Sequence, residues 1–178
     1  MRYLKTIAIF LLGPLLGGCN PTLNWRDVRT QEAPLLALFP CKPDTAERKI
    51  SLADAVVSMK MLGCDAGGAT FTLAYADLKD SAQVGPVLDQ WREVTLGKLR
   101  AKVSRSTPFL LKGTPTLPQS LQIDALGTRQ DGTTPVRAQM VWFTAGTQVF
   151  QAAVYSEVNA ESAQAPVIDT FFSGLRLP

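Results

Sequence analysis

The sequence contains no histidine, and this absence excludes more chemistry than any other feature of its composition. Without histidine there is no Ser-His-Asp or Cys-His catalysis, no histidine-based zinc site and no histidine pH switch. The chain also lacks a phosphate-binding glycine loop, a Gly-x-Ser-x-Gly nucleophile turn, a Cys-x-x-Cys pair and a calcium loop. We therefore predict that the protein is not an enzyme and that it uses no cofactor and no metal ion.

Long apolar stretches are also missing. The longest apolar run covers residues 7–16, is interrupted by Gly13-Pro14 and follows the cations Arg2 and Lys5. A membrane-spanning helix needs about twenty apolar residues, whereas a charged start followed by a shorter apolar run is typical of a secretory signal peptide. We therefore predict that residues 1–18 are a signal peptide that is removed from the mature chain.

The end of this run indicates how the chain is anchored. Leu16-Gly17-Gly18-Cys19 resembles the lipobox of bacterial lipoproteins, in which small residues let a peptidase cut before a cysteine. The resemblance implies cleavage between Gly18 and Cys19, a diacylglyceryl group on the Cys19 thiol, and two or three fatty chains such as palmitate, which together hold a protein permanently at a membrane. Because Asn20 follows, rather than the aspartate associated with inner-membrane retention, we expect the periplasmic face of the outer membrane. The alternative is an ordinary signal peptide with a chance cysteine at its end.

Little net charge remains once the signal is removed. Loss of Arg2 and Lys5 changes the formal net charge from +3 to +1, so a nucleic-acid partner has no electrostatic basis. The rest of the chain is long enough for one domain with a sizeable core. We place a lipidated tether at residues 19–33, from which Trp25 and Val28 are expected to pack back onto a single domain at residues 34–178; contact with the membrane interface or a partner is the alternative.

Use of Cys19 for the anchor leaves two cysteines, Cys41 and Cys64. In an oxidising compartment such a pair favours a disulfide, and each cysteine ends a predicted strand in a turn-rich segment. Closing the loop between them would stabilise the fold by about 3 kcal/mol in the chain-entropy model. The alternatives are two free buried thiols, or a redox or metal-binding role.

Alternation of apolar and polar residues predicts two groups of strands, the first of them a four-stranded meander. The strands are expected at residues 35–39, 48–52, 55–62, 70–76, 121–125, 136–142 and 149–155. Between the groups, helical spacing predicts a helix of about twenty residues that starts near residue 84 and is capped by Ser81. A short terminal helix is expected at residues 163–172, with Gly174 as its stop. This order predicts an α+β domain with an antiparallel sheet covered by one long central helix and a short C-terminal helix.

Three segments carry a second resemblance. They are Leu38-Phe39-Pro40-Cys41-Lys42-Pro43 after the first strand, the helix near residues 84–103, and Phe171-Phe172-Ser173-Gly174-Leu175-Arg176-Leu177 at the end. Together they are similar to the PsbP-like fold shared with DcrB-type bacterial lipoproteins. The resemblance covers residues 34–178 and implies the same fold and a role as an assembly factor, chaperone or binding module. It carries no catalytic residue over to this chain.

Three groups of side chains suggest chemistry, but each has a simpler structural interpretation. Three methionines would suit copper(I), although their apolar strand faces favour core packing. One acidic pair on the helix would suit acid–base work, although a solvated helix face explains it. One basic cluster would suit lipid phosphates, although the helix dipole explains it. These groups are Met59, Met61 and Met140; Asp89 and Glu93; and Lys98, Arg100, Lys102 and Arg105.

These observations leave three functional hypotheses. The leading one is a non-enzymatic lipoprotein, attached to the membrane at Cys19, whose periplasmic domain binds an envelope protein as a scaffold, assembly factor or chaperone. The alternative is a small-ligand or lipid-binding module with a mostly apolar cavity between the long helix and the sheet. The third, an enzyme that works with carboxylates, requires at least two acidic residues to converge in one cleft. The candidates are Asp54, Asp65, Asp77, Asp89, Glu93 and Asp124.

Overall fold

The computed structural model describes residues 22–52, 55–129, 131–159 and 161–178. Its elements are strands β1 Arg26–Arg29, β2 Leu36–Phe39, β3 Asp44–Leu52, β4 Ala55–Ala66 and β5 Ala69–Asp77, helix α1 Val84–Lys98, strands β6 Lys102–Pro108, β7 Leu121–Thr128, β8 Pro135–Ala145 and β9 Gln148–Ser156, and helix α2 Glu161–Ser173. Seven strands form one sheet in the order β3-β4-β5-β9-β8-β7-β6, and β1 and β2 form a separate two-stranded sheet. All pairings are antiparallel, which confirms the predicted α+β class. Neither helix is long and apolar enough to cross a membrane.

The seven-stranded sheet buries a hydrophobic cluster on each of its faces. Neighbouring residues such as Trp142 and Phe143 belong to different clusters, because successive strand side chains point to opposite faces. The α1 cluster joins the helix to the sheet on one face; its larger members are Leu52, Val57, Met59, Val84, Val87, Leu88, Trp91, Ile123, Met140, Trp142 and Val149. The α2 cluster joins α2 and the β1–β2 hairpin to the other face; its larger members are Leu35, Phe39, Leu62, Phe71, Leu73, Tyr75, Leu111, Val141, Phe143, Phe150, Val154, Ile168, Phe171, Phe172 and Leu175.

Helix α1 is shorter than its spacing predicts. It ends at Lys98, and Arg100 takes a positive φ of 47°, so the chain leaves the helix and enters β6 at Lys102. The predicted cap at Ser81 is wrong. Ser81 begins a short 3-10 turn, and the N-cap of that turn is Asp80, whose carboxylate accepts the N–H of Ala82 at 2.9 Å.

The sequence pattern does not predict two of the strands, β1 and β6. Both lie at sheet edges, and β6 is exposed along nearly its whole length, so no buried alternation marks it. Strand β1 falls within the segment interpreted as a tether. Trp25 and Val28 pack against the α2 cluster, as expected.

The predicted four-stranded meander is wrong in its first strand. Strand β2 pairs with β1 rather than with β3, and the sheet continues from β5 to β9 instead. Strand β4 runs beyond its predicted end at residue 62, because Gly63 still pairs with Thr72 and the strand continues to Ala66. Gly67 and Gly68 alone turn the chain, with φ values of 58° and 79°.

The C-terminus closes back on the hairpin. Gly174 follows α2, as predicted, and its small size serves close packing, since a side chain there would collide with Leu38. After it, the chain forms a single antiparallel bridge between Leu36 and Arg176. In that bridge the N–H of Leu36 donates to the carbonyl oxygen of Arg176 at 2.8 Å, and the N–H of Arg176 donates back at 3.0 Å.

Candidate functional site

The turn of the β1–β2 hairpin is fastened to the seven-stranded sheet by polar contacts. The hydroxyl of Tyr75 donates to the carbonyl oxygen of Gln31 at 2.9 Å. Lys60 Nζ lies 2.6 Å from Glu32 Oε2, and the side-chain amide of Gln148 donates to the Glu32 carbonyl oxygen. Glu32 itself has a positive φ of 60°. These contacts hold the hairpin turn over β4, β5 and β9.

The open end of the hairpin is fastened by the two cysteines. Cys41 follows β2, and Cys64 lies in β4. The two are at disulfide distance, with their Cα atoms 6.0 Å apart, within the range that a disulfide requires. The predicted pairing is therefore confirmed in its geometry. Together with the N–H of Asn24, which donates to the Pro40 carbonyl oxygen at 2.7 Å, it fixes where the chain enters β1.

Among the described residues, strand β1 pairs only with β2 and therefore offers one backbone edge without a partner strand. The N–H of Thr30 donates to the carbonyl oxygen of Leu35 at 3.0 Å, and hydrogen-bonded pairs alternate along an antiparallel ladder. Asp27 and Arg29 are therefore the positions whose N–H and C=O groups point away from β2. Leu36, opposite Arg29, likewise turns its backbone away from β1, toward Arg176.

A groove of about 490 Å³ runs along this unpaired edge. All four residues of β1 line it, as expected where the edge of a strand, rather than one face, forms the wall. The remaining lining comes from β3, β4, the β2–β3 connection and the floor at Tyr75. We call this the β1 groove, and its lining residues are Arg26, Asp27, Val28, Arg29, Gln31, Lys42, Pro43, Thr45, Ala46, Glu47, Lys60, Met61, Leu62 and Tyr75.

A second hollow of similar volume adjoins the β1 groove and shares Glu47, Lys60 and Tyr75 with it. It extends past Glu32 toward the end of β5. Strand β3 borders the β1 groove as well, and within the described ranges it pairs only with β4. An open channel thus follows two strand edges that have no second partner there.

The β1 groove carries more positive than negative charge. Its four cations are Arg26, Arg29, Lys42 and Lys60, and its two carboxylates are Asp27 and Glu47. Asp27 is paired with Arg176 at 2.8 Å and Lys60 with Glu32. Because one carboxylate and one cation of the groove are each neutralised by a residue outside it, the excess of cations is unchanged. Glu47 accepts the hydroxyl of Ser58.

The contacts of the residues in the β1 groove and the adjoining hollow shift the pKa values of several of them. Burial raises the pKa of the Tyr75 phenol, which keeps it a hydrogen-bond donor to the hairpin. The hydrogen bond between Lys60 and Glu32 raises the pKa of Lys60 and lowers that of Glu32. Burial opposes ionisation of Asp77, but hydrogen bonds from Lys79 and Thr147 outweigh it and hold its pKa at about 2. The charges of these acidic and basic groups therefore persist at neutral pH.

Most of the predicted candidate residues lie outside the groove, either in the hydrophobic core or on the protein surface. Met59 and Met140 are buried in the α1 cluster, whereas Met61 is 39% exposed and lines the groove. Asp89 is paired with Arg92 at 2.5 Å on the surface of α1, and Glu93 is exposed. Within the described ranges, no three histidine, cysteine or acidic residues are placed to hold a metal ion.

The remaining carboxylate candidates take separate local roles. Asp65 accepts the Thr70 hydroxyl at 2.6 Å. Burial raises the pKa of Asp124, which lies between the charges of Arg105 and Arg137. Asp54, Gly18 and Cys19 lie outside the described residues.

The basic cluster does not lie on one helix, as its spacing predicts. Lys98 is in the last turn of α1 and Arg100 follows the helix, but Lys102 and Arg105 belong to β6. All four side chains are exposed. Neither of the two grooves includes a residue of α1, so the cavities described here lie apart from the helix–sheet interface where a ligand cavity is predicted.

Sequence reasoning missed the groove because no single segment encodes it. Its cations come from β1, the β2–β3 connection and β4, and the pairing of β1 with β2 brings them together. The available signal is the run Arg26-Asp27-Val28-Arg29 beside Trp25, in which an apolar residue within a charged segment suggests a short edge strand.

No protein-family model matches the chain, and no curated protein does. Two solved structures are similar to it. The protein of unknown function PA94 from Pseudomonas aeruginosa has 11% sequence identity and a TM-score of 0.44, with 82% of this chain and 92% of that chain covered. The cyanobacterial PsbP of Synechocystis has 11% identity and a TM-score of 0.49, with 94% and 99% covered. Both scores lie below 0.5, and we conclude nothing about this chain from either similarity.

Proposed function

We propose that this protein is a lipid-anchored envelope lipoprotein whose domain binds an extended segment of a partner protein in the β1 groove. In this role it is a non-enzymatic scaffold, assembly factor or chaperone, held through Cys19 at the periplasmic face of the outer membrane. The observation that carries the proposal is the open groove along the unpaired edge of β1. An extended peptide can add to such an edge as a further strand, with main-chain hydrogen bonds supplying affinity.

The lining of the groove favours an acidic peptide over a small molecule. Small-ligand pockets carry only a few polar groups, whereas six of the fourteen residues that line the β1 groove are charged, four of them cations and two carboxylates. Guanidinium groups bind carboxylates in a paired geometry, and both Arg26 and Arg29 lie on the strand that would receive the peptide. The partner segment is therefore extended and rich in aspartate or glutamate.

The charges on both edges also explain why the groove is selective. Exposed strand edges invite pairing with any other chain, and charged side chains limit that risk. Strand β1 carries Arg26, Asp27 and Arg29, and β3 carries Glu47, Arg48 and Lys49. A segment whose charges are complementary to those of the two edges pairs with them, and a segment with the reversed charge pattern is repelled.

The anchor is tested separately from the groove. Cells given a labelled fatty acid are expected to label the wild-type chain, and a Cys19→Ala variant is expected to carry no label. Mass spectrometry of the purified chain locates the modification. Equal labelling of the two chains would contradict the anchor and leave the groove proposal standing.

Replacing Arg26 and Arg29 with glutamate is expected to weaken binding of an acidic extended peptide at least about tenfold, since each charged hydrogen bond contributes about 1.5 kcal/mol or more. The probe is a peptide of alternating glutamate and valine, and a lysine–valine peptide is its charge-reversed counterpart. Titration followed by amide chemical shifts measures the affinity. Hydrogen exchange at the Asp27 and Arg29 amides should slow when the acidic peptide is bound, because strand addition engages those groups.

The matched control replaces Lys102 and Lys112 with glutamate. Both side chains are exposed and neither lines the groove, while the change in net charge is the same. The control is expected to bind like the wild type. Equal weakening in both variants, or equal affinity for the two peptides, would show that only overall charge matters and would reject the groove.

A further inference from the structure

The described chain begins at a defined end of the sheet. Leu23 packs against the β4–β5 turn, where a side chain built on Gly67 would lie 3.6 Å from it. Consecutive Cα atoms are about 3.8 Å apart, so the four steps from Cys19 to Leu23 span at most about 15 Å. A lipid on Cys19, as proposed above, therefore keeps the β4–β5 turn close to the membrane surface.

The antiparallel register brings other segments to this same end. Ala69, beside the turn, pairs with Ser156 at the end of β9, and Ser156 pairs with Arg137 near the start of β8. The start of β8 pairs in turn with the end of β7. The N–H of Thr128 there donates to the carbonyl oxygen of Leu99 at 2.8 Å, which places the end of α1 at this end too.

Exposed cations gather at the end so defined, which we call the anchor end. Arg129 lines a surface hollow with the β4–β5 turn residues. The guanidinium nitrogens of Arg100 lie 3.8 Å from the Cβ position built on Gly132 in the β7–β8 turn. Lys98 is in the last turn of α1, and Lys102 starts β6. Three members of the basic cluster that spacing assigns to a helix, Lys98, Arg100 and Lys102, thus lie at the anchor end.

Among the side chains that the structure describes at the anchor end, the acidic groups are fewer, and two of them are engaged locally. Asp131 accepts the backbone N–H groups of Thr133 and Thr134, at 2.9 and 2.8 Å. Asp65 accepts the Thr70 hydroxyl, and Glu157 is exposed. Asp124 lies near Arg137 and offsets its charge. Of the exposed groups named here, the four cations Lys98, Arg100, Lys102 and Arg129 outnumber the three carboxylates Asp65, Asp131 and Glu157.

We propose that Lys98, Arg100 and Arg129 dock the anchor end of the domain onto the phosphates of an anionic lipid surface. The inference rests on the proposed lipid anchor, not on the β1 groove. The attraction between these cations and the lipid phosphates acts only within about a Debye length of the surface, about 10 Å at 0.1 M salt. Docking therefore holds only the anchor end of the sheet at the bilayer. The β1 groove and the hollow that adjoins it extend along β4 away from the anchor end, so docking leaves both open to the periplasm.

The experiment uses the full lipidated chain in bilayer discs that contain a gadolinium-labelled headgroup lipid. One set of discs is phosphatidylcholine alone, and the other includes phosphatidylglycerol. The amide of Gly67 is expected to broaden in both sets, because the anchor alone keeps it near the surface. The amide of Gly132 is expected to broaden only with the anionic lipid, while that of Gly146, in the turn at the opposite end, stays sharp. The difference is expected to disappear when salt is raised from about 0.1 M to about 1 M.

The variant K98Q/R100Q/R129Q is expected to lower the docked-to-undocked ratio by roughly a hundredfold, about fivefold for each cation. The control R48Q/K49Q/K79Q removes the same charge from exposed positions on β3 and at the opposite end, and should dock normally. Equal broadening at both ends, or the same result with and without phosphatidylglycerol, would overturn the docking. A chain that fails to associate with the discs at all would overturn the anchor, and the docking with it.

Discussion

Replacing both Cys41 and Cys64 with serine is expected to lower the free energy of unfolding by about 3 kcal/mol. The sequence separation of 23 residues closes a loop that contains all of β3 and most of β4, which restricts the unfolded chain more than a short loop would. Urea unfolding of the full chain, with and without reductant, measures the change. Reductant should lower the stability of the wild type by a similar amount and leave the double variant unaffected.

The double variant should also bind the acidic peptide more weakly in the β1 groove. The cysteine pair joins the open end of the hairpin to β4, whereas the polar contacts of the hairpin to β4, β5 and β9 lie at its turn. Without that bond, the edge of β1 is held less firmly opposite β3, so acidic-peptide affinity should fall more than in the Lys102 and Lys112 control. If thiol titration in denaturant finds Cys41 and Cys64 free without reductant, the bond is absent and neither loss will occur.

The sequence predicts those parts of the fold whose side chains alternate between buried and solvated positions. Strands β4, β5, β7, β8 and β9 and both helices appear where periodicity places them, within a few residues at their ends. The cysteine pair follows from counting, because one of three thiols is assigned to the anchor. These features are local, so a single chain segment carries each of them.

What the sequence does not predict depends on contacts between distant segments. Strand β6 has no buried face, and the basic residues in it look like the end of a helix until its pairing with β7 is known. The meander error has the same origin. Residues 36–39 read as a buried strand, but nothing local indicates that their partner is the charged segment before them rather than the one after.

The candidate site is the least predictable feature, since it lies between two sheets. Its floor residue Tyr75 reads from the sequence as core, which is correct, but its hydroxyl reaches 44 residues back to Gln31. Lys60 reads as the solvated side of a strand, although it holds Glu32 in the hairpin turn. The interpretation of Tyr75 is correct for the strand, whereas Lys60 is only 19% exposed because the hairpin covers it. Neither strand pattern indicates the hairpin.

Replacing Phe171 with alanine is expected to cost about 4 kcal/mol of unfolding free energy, the largest single-residue effect predicted here. Its ring is fully buried and lies edge-on to Phe39 of β2 and Phe71 of β5, with ring centres 5.3 Å away in each case. Edge-on ring pairs add to the loss of buried area. The substitution therefore separates three elements at once: α2, the hairpin and the seven-stranded sheet. Urea unfolding measures the total loss.

The position of the loss tests the two-sided core. Phe171 belongs to the α2 cluster, while α1 packs in a different cluster on the other face of the sheet. Hydrogen exchange in Phe171→Ala should therefore accelerate in β1, β2 and α2 before it accelerates in α1, since regions with fewer buried contacts open first. Phe171→Leu, which retains most of the apolar volume, should lose less than half as much stability. Equal acceleration of hydrogen exchange in both helices would mean that the two faces unfold as one unit. The β1–β2 hairpin, which forms one wall of the groove, would then not unfold independently of the α1 cluster.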